Sequence, residues 1–148
     1  MILCSFLLLL QIKAKDTNHL FGAYTRCAWP NVDGVVADPT GKSFLFSLVN
    51  ATNQAVRFSL KDKDRAIELS VSGLFFGTIK VEGGQRTGWP NFGIMSSGFA
   101  ADKKNGNITN DSNVDNTPYQ PDDGQVCDHT FWVGQTHFAA AEIEVFQL

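Results

Sequence analysis

Apolar and polar positions alternate with a period of two along much of this chain. Val56, Phe58 and Leu60 share one parity, with Arg57, Ser59 and Lys61 on the other. Ile67, Leu69 and Val71 oppose Glu68 and Ser70. Ile79 and Val81 oppose Lys80 and Glu82, and Ala141, Ile143 and Val145 oppose Glu142 and Glu144. Successive side chains of a strand point to opposite faces, so each segment predicts a strand with one dry and one wet face. Antiparallel sheets show this habit, whereas buried parallel strands read as unbroken apolar runs. Turn residues punctuate the pattern at Asp38-Pro39 and at 50–54, 62–64 and 82–88. Residues 61–65 read as a charged hairpin tip. Short strands at this spacing predict a mostly β sandwich or barrel. No segment carries a long helical period, although 131–141 has room for one turn of helix before the last strand.

Three segments need separate treatment. In the aromatic strand 43–49, Phe44, Phe46 and Leu48 share a parity opposite to Leu45. The bulkier set is expected in the core, so that Phe46→Ala costs about 3–5 kcal/mol. Residues 101–125 hold almost no apolar side chains and are rich in Asn, Asp, Gly and Pro, which predicts a long surface loop open to proteolysis. Residues 2–12 are nearly all apolar, yet too few to span a bilayer. A signal-peptide core is one reading. No Lys or Arg precedes the run, however, and Lys13 and Lys15 stand where a cleavage site needs small residues. A buried strand is the simpler reading.

At 148 residues the chain is expected to be one domain, 1–148, large enough for a real core, which its 12 Phe make aromatic-rich. A net charge of -3 gives no electrostatic footprint for nucleic acid or an anionic membrane. Cys4, Cys27 and Cys127 are too few and odd in number for a disulfide framework. Free thiols in a reducing compartment fit them, and a Cys27–Cys127 bridge fits only a secreted chain.

Catalytic and metal patterns are thin. Glu142 and Glu144 lie two apart on one strand face, as a glycosidase pair could, but a solvated face gives the same pattern. Cys127, His129 and His137 are zinc-ligand types in a spacing that matches no structural zinc pattern, and a catalytic Cys–His pair is usually far apart in sequence. Asp111, Asn113, Asp115 and Asp122 fall at calcium-loop positions 1, 3, 5 and 12. Asn116 replaces the required Gly, Asp replaces the bidentate Glu, and Pro118 interrupts the loop. Sequons at Asn50, Asn107 and Asn110 matter only in a secreted protein. The chain has no phosphate-binding loop, dinucleotide fingerprint, nucleophile elbow or H-E-x-x-H. No cofactor, resident metal or catalytic residue is therefore expected.

The order of several short motifs is more informative than any one of them. Phe6 to Ile12 and the turn 13–19 lead into Phe21, Gly22, Ala23 and Tyr24. Phe44, Leu45, Phe46, Ser47 and Leu48 come next, then Gly73, Phe76 and Gly77, then Asn91, Phe92 and Gly93. Glu142, Ile143, Glu144, Val145 and Phe146 close the series. In this order and spacing the chain resembles the TLDc domain across nearly its whole length. It departs from that pattern in GLFFGTI, where Leu74, Thr78 and Ile79 stand for the family's Pro and further Gly, and in lacking the family's helical N-terminal portion.

The resemblance implies a two-sheet antiparallel β-sandwich with a few short helices. It implies a non-enzymatic, cytoplasmic protein-interaction domain linked to resistance to oxidative damage, with subunits of the V-type ATPase among the partners. On that reading the partner-binding face is expected around Gly73, Phe76, Gly77, Glu142 and Glu144, since glycine turns permit close approach and exposed carboxylates orient a basic surface. The competing readings are a secreted, glycosylated β-sandwich module with weak calcium or glycan binding, and a hydrolase using the glutamate pair.

Overall fold

The computed structural model describes residues 7–15, 17–27, 29, 31–71, 73–78, 80–88, 91–95, 105–108, 118–122 and 137–148. The strands are β1 (Leu8–Ala14), β2 (Leu20–Thr25), β3 (Gly34–Val36), β4 (Phe44–Val49), β5 (Val56–Leu60), β6 (Ile67–Ser70) and β7 (Gly73–Phe76). After them come β8 (Lys80–Glu82), β9 (Gln85–Gly88), β10 (Phe92–Met95), β11 (Asn105–Ile108), β12 (Tyr119–Pro121) and β13 (His137–Gln147). One turn of 3-10 helix, Lys63–Arg65, is the helical element among the described residues.

Eleven strands form one antiparallel ladder in the order β12-β5-β4-β2-β1-β13-β11-β10-β7-β6-β3, and β8 and β9 pair apart as a hairpin. The long β13 joins two layers. Residues 140–147 pair with β1, and residues 137–139 pair with β11. Lys13 faces Glu142 but Ala14 faces Ala140, so Ala141 is an extra, bulged residue. A bulge bends and twists its strand. It also switches parity: Phe138 and Ala140 are buried before it, whereas Ile143 and Val145 sit opposite the buried Ile12 and Leu10 after it. The chain thus forms the mostly β, two-sheet antiparallel sandwich that the sequence implies. Leu10, Ile12, Phe21, Leu45 and Phe58 from one layer share a core with Ile67 and Phe76 from the other.

Polar groups fasten the layers. The Tyr119 hydroxyl donates to the Ala66 carbonyl at 3.0 Å. The fully buried Asn91 donates to the Tyr119 carbonyl at 2.8 Å and accepts from the Tyr119 amide at 3.0 Å, so its side chain pairs with that backbone as a neighbouring strand would. Burial pushes the Tyr119 phenol far above its usual pKa, so it stays a neutral donor.

The motif Phe21-Gly22-Ala23-Tyr24 now has a physical reading. Phe21 points inward and meets Phe138 edge to face at 5.1 Å. Ala23 also points inward and is buried. Gly22 points outward beneath the Phe46 ring. A Cβ there would stand 2.0 Å from the Leu10 carbonyl oxygen and 2.7 Å from Phe46 Cζ. The carbonyl belongs to a central strand and cannot swing away. Gly22→Ala is therefore expected to cost about 1–3 kcal/mol in urea denaturation, as overpacking does. Unchanged stability would mean that β1 and Phe46 leave room there.

Four expectations need correction. The face of β4 is inverted: Leu45 and Ser47 are fully buried, Phe44 and Phe46 are half-buried on the outer face, and Leu48 is 48% exposed. The inward parity wins because its hydroxyls are satisfied. Asn50 donates to Ser47 at 3.0 Å and Ser43 donates to Asp38 at 2.6 Å, so burying them carries little penalty. Residues 101–125 are not one loop, since they contain β11 and β12. Tyr119 is among the most deeply buried side chains, and β11 contributes backbone pairing with β10 and β13. Residues 101–104, 109–117 and 123–125 lie outside the described residues. The charged tip at 61–65 is a crossing from β5 in one layer to β6 in the other, not a hairpin. There Arg65 is buried and donates to the Thr78 carbonyl and to Asp62. Val71, expected beside Ile67 and Leu69, is 84% exposed in the turn after β6.

The apolar N-terminal run yields β1, a central strand between β2 and β13. Residues 1–6 lie outside the described residues, and of the range 131–141 expected to hold a helical turn, 131–136 lie outside them and 137–141 belong to β13.

Candidate functional site

The outer face of the layer containing β1 is built by register. β1 alternates Leu10 and Ile12 inward with Leu9, Gln11 and Lys13 outward. β13 lies beside it, so Glu144 sits opposite Gln11 and Glu142 opposite Lys13. Gln11 Nε2 donates to Glu144 Oε2 at 3.2 Å. Both glutamates are exposed, and with Gln11, Lys13, Leu20 and Val49 they line an open groove of about 290 Å³. Lys13 is directly across from one carboxylate only, so this edge of the face keeps an acidic excess.

Next to the carboxylates runs an apolar row. Phe146 pairs with Leu9, Leu9 with Tyr24, and Tyr24 with Phe44, crossing β13, β1, β2 and β4. Tyr24 and Phe44 stack at 4.9 Å between centroids. Toward the far edge the Arg57 guanidinium lies 4.1 Å above the Phe44 ring and pairs at 3.6 Å with Asp122, just after the edge strand β12. Such an exposed pair is worth little in isolation. Sequence reasoning placed Phe44 and Phe46 in the core and so missed this row; Arg57 as a polar neighbour on β5 was its one visible signal.

The expected site residues divide between the two layers. Glu142 and Glu144 stand together on the outer face described above. Gly73 and Phe76 begin and end β7, which β10 and β11 separate from β13. Phe76 is 1% exposed and packs edge-on to Trp29 at 6.5 Å, so its ring faces the core and not a partner. Gly77 is buried with φ +81°, and a Cβ there would meet Asn91 and Pro118 at 3.1 Å, so it serves the joint between the layers.

Cys127 and His129 lie outside the described residues, as do Asp111, Asn113 and Asp115. Among the described residues no group of three or more His, Cys, Asp or Glu is placed to hold a metal. Asp122 pairs with Arg57. Asn50 is 2% exposed and its Nδ2, the atom a glycan would need, donates to Ser47 and to the Gln54 carbonyl. Cys27 is buried with its thiol donating to the Ala37 carbonyl at 3.2 Å. No helix among the described residues is long and apolar enough to cross a membrane.

No curated protein matches the chain in a direct comparison. The family model described as the TLDc domain matches residues 5–148, from within the apolar run through the Glu142–Phe146 close. With that match over essentially its whole length, and with the motifs set in the sandwich described above, the chain belongs to the TLDc domain family.

Proposed function

We propose that this TLDc domain is a non-enzymatic, cytoplasmic interaction module whose partner docks on the outer face bearing Glu142 and Glu144. The family links the domain to resistance to oxidative damage. The observation that carries the reading is the grouping of two unburied carboxylates beside an apolar aromatic row on one sheet face. Convergent polar groups in an enclosed, water-poor cleft, which catalysis by a carboxylate pair requires, are not part of this open groove. The buried amide of Asn50, already engaged in hydrogen bonds, weighs against the glycosylated, secreted reading at that sequon. The proposed partners are subunits of the V-type ATPase that present a basic surface.

The double change Glu142→Gln, Glu144→Gln tests this. Recovery of partner from lysate is expected to fall and to lose most of its salt dependence, because exposed charges steer and orient association. The melting temperature is expected to stay put, since exposed pairs add little stability. Recovery and salt response that match the wild type place the interface elsewhere. Recovery that responds as expected, but without ATPase subunits in it, removes that partner and keeps the face.

A further inference from the structure

We propose that the free edge of β3 takes up an extended segment of a partner protein as an added strand, and that this segment alternates apolar and basic residues. The ladder has two ends, β12 and β3. The β12 end is guarded: Pro121 has no amide hydrogen to offer a further strand, and the exposed Arg57–Asp122 pair stands beside it. The β3 end carries no such device. Residues 31–37 read NVDGVVA, without Pro, Lys or Arg, and all but the half-buried Val36 are exposed. β3 pairs with β6 on one side, and among the described residues no other backbone–backbone bond involves residues 31–36. The row of amides and carbonyls on its far side is therefore open to a strand.

The two faces of this edge set the side chains of the added strand. Toward the core, Val36 packs on the central cluster and its neighbour Ile67 is fully buried. The next row, Leu74 to Leu69 to Gly34, ends on a residue without a side chain. A Cβ on Gly34 would meet nothing within 4 Å, and Leu69 beside it is only half-buried. An apolar side chain of the added strand, level with Gly34, would enter that space and cover Leu69. Away from the core, Val35 is 54% exposed and lies opposite Glu68, with the exposed Asp33 just before the strand. Neither carboxylate has an ion-pair partner among the described residues. A Lys or Arg on the outward positions of the added strand would lay its stem on Val35 and its charge near both.

Other occupants fit less well. A helix spends its backbone groups within itself and cannot pair with an edge. A second copy of this chain, pairing through the same strand, brings another Asp33 and no basic residue. Water satisfies the backbone row but leaves Val35, Leu69 and Val32, itself 68% exposed, without apolar cover. An extended segment answers both needs at once, which is why strand addition recurs in peptide recognition.

Length sets the strength. β3 has three residues, so the added ladder is short, and a flexible peptide loses chain entropy when it docks. Half-saturation by a short peptide is therefore expected at about 0.1–1 mM. The edge belongs to the layer of β6 and β7, and the face bearing Glu142 and Glu144 belongs to the layer of β1, so the two surfaces can be filled independently.

The probe is the end-blocked peptide Thr-Val-Lys-Val-Lys-Val-Thr, titrated into isotope-labelled protein and followed by its amide resonances. Saturable shifts are expected in residues 32–37 and 67–70. Two further peptides, N-methylated either at the valines or at the lysines, block opposite edges of the same strand. One of them should bind at least about tenfold more weakly than the other, because only one set of amides faces β3. Asp33→Lys, at an exposed position, should weaken the parent peptide severalfold, and a peptide with Glu in place of both Lys should prefer that variant to the wild type. Glu142→Gln with Glu144→Gln should leave peptide binding unchanged, which keeps this outcome apart from that of the pull-down. No saturable shift up to about 5 mM peptide overturns the proposal, as do shifts that map away from β3 and β6. Equal binding of the two N-methylated peptides overturns it too. Shifts of β3 that depend on protein concentration without peptide would give the edge to a second copy instead.

Discussion

Leu45→Ala is expected to cost about 2–5 kcal/mol, the range for a fully buried leucine whose removal leaves a cavity. Phe46→Ala, one residue along the same strand, should cost only about 1 kcal/mol, since a half-buried ring gains roughly half of what full burial provides. The larger side chain is thus predicted to matter less. Leu45 is fully buried and belongs to the central cluster with Phe21 and Phe58. Phe46 lies outside, over Gly22, with the rings of Phe44 and Tyr24 continuing the row. Phe44, whose ring is covered by Tyr24 and Arg57, is expected to fall between the two. Urea denaturation of the two alanine variants decides the matter. A greater loss for Phe46→Ala would restore the opposite register, because a one-residue slip exchanges the faces of an entire strand.

That inversion marks where the sequence ceases to be legible. In β5 the alternation is unambiguous: Val56, Phe58 and Leu60 are buried, while Arg57 is exposed and Ser59 half-buried. In β4 each parity holds apolar residues, and hydrophobicity alone favours the aromatic one. What reverses the choice is nonlocal. Ser43 and Ser47 find partners in Asp38 and Asn50, and Tyr24 arrives from β2 to shelter Phe44. Similarly, the motif at Glu142–Phe146 is readable as a strand, but the bulge at Ala141 that lets β13 serve both layers depends on its register with Lys13 and Ala14. Tyr119, alone among Asn, Asp and Pro, has no periodic neighbours to announce that it is core; its burial depends on Ala66 and Asn91, far away in sequence. The exposure of Glu142 and Glu144 was legible because charge on a regular alternation rarely goes inward unpaired. Phe76 was misassigned to a surface because GLFFGTI offers two adjacent Phe and no charged residue to fix the parity.

Asp38→Asn is expected to destabilise the protein by about 2–4 kcal/mol at neutral pH, the loss that follows when buried donors are left without their charged acceptor. The sequence Asp38-Pro39-Thr40-Gly41 has the residues of a type I turn, and the Gly41 amide closes it on the Asp38 carbonyl at 3.0 Å. The carboxylate is the less obvious part. It is fully buried, and it accepts from the Thr40 amide at 3.0 Å, the Thr40 hydroxyl at 2.6 Å, the Ser43 amide at 2.8 Å and the Ser43 hydroxyl at 2.6 Å. Its own amide donates to the Lys63 carbonyl at 2.8 Å, which ties the turn before β4 to the crossing between layers. Burial by itself would raise the pKa. The hydrogen bonds from Ser43 and Thr40 together outweigh it and hold the carboxyl below its ordinary value of 3.8. An asparagine would keep one acceptor but turn an NH2 group toward donors. The sign with pH follows from the lowered pKa: the ionised form stabilises the fold fully above the unfolded-state value near 3.8, and that stability is lost as pH falls through the lower folded-state value. The stability gap between wild type and Asp38→Asn should therefore stay constant from about pH 7 to pH 5 and narrow below about pH 4. Urea midpoints for both proteins across that range give the answer. A gap that is small at neutral pH, or one that widens on acidification, would show that Asp38 is not the ionised acceptor around which this turn is built.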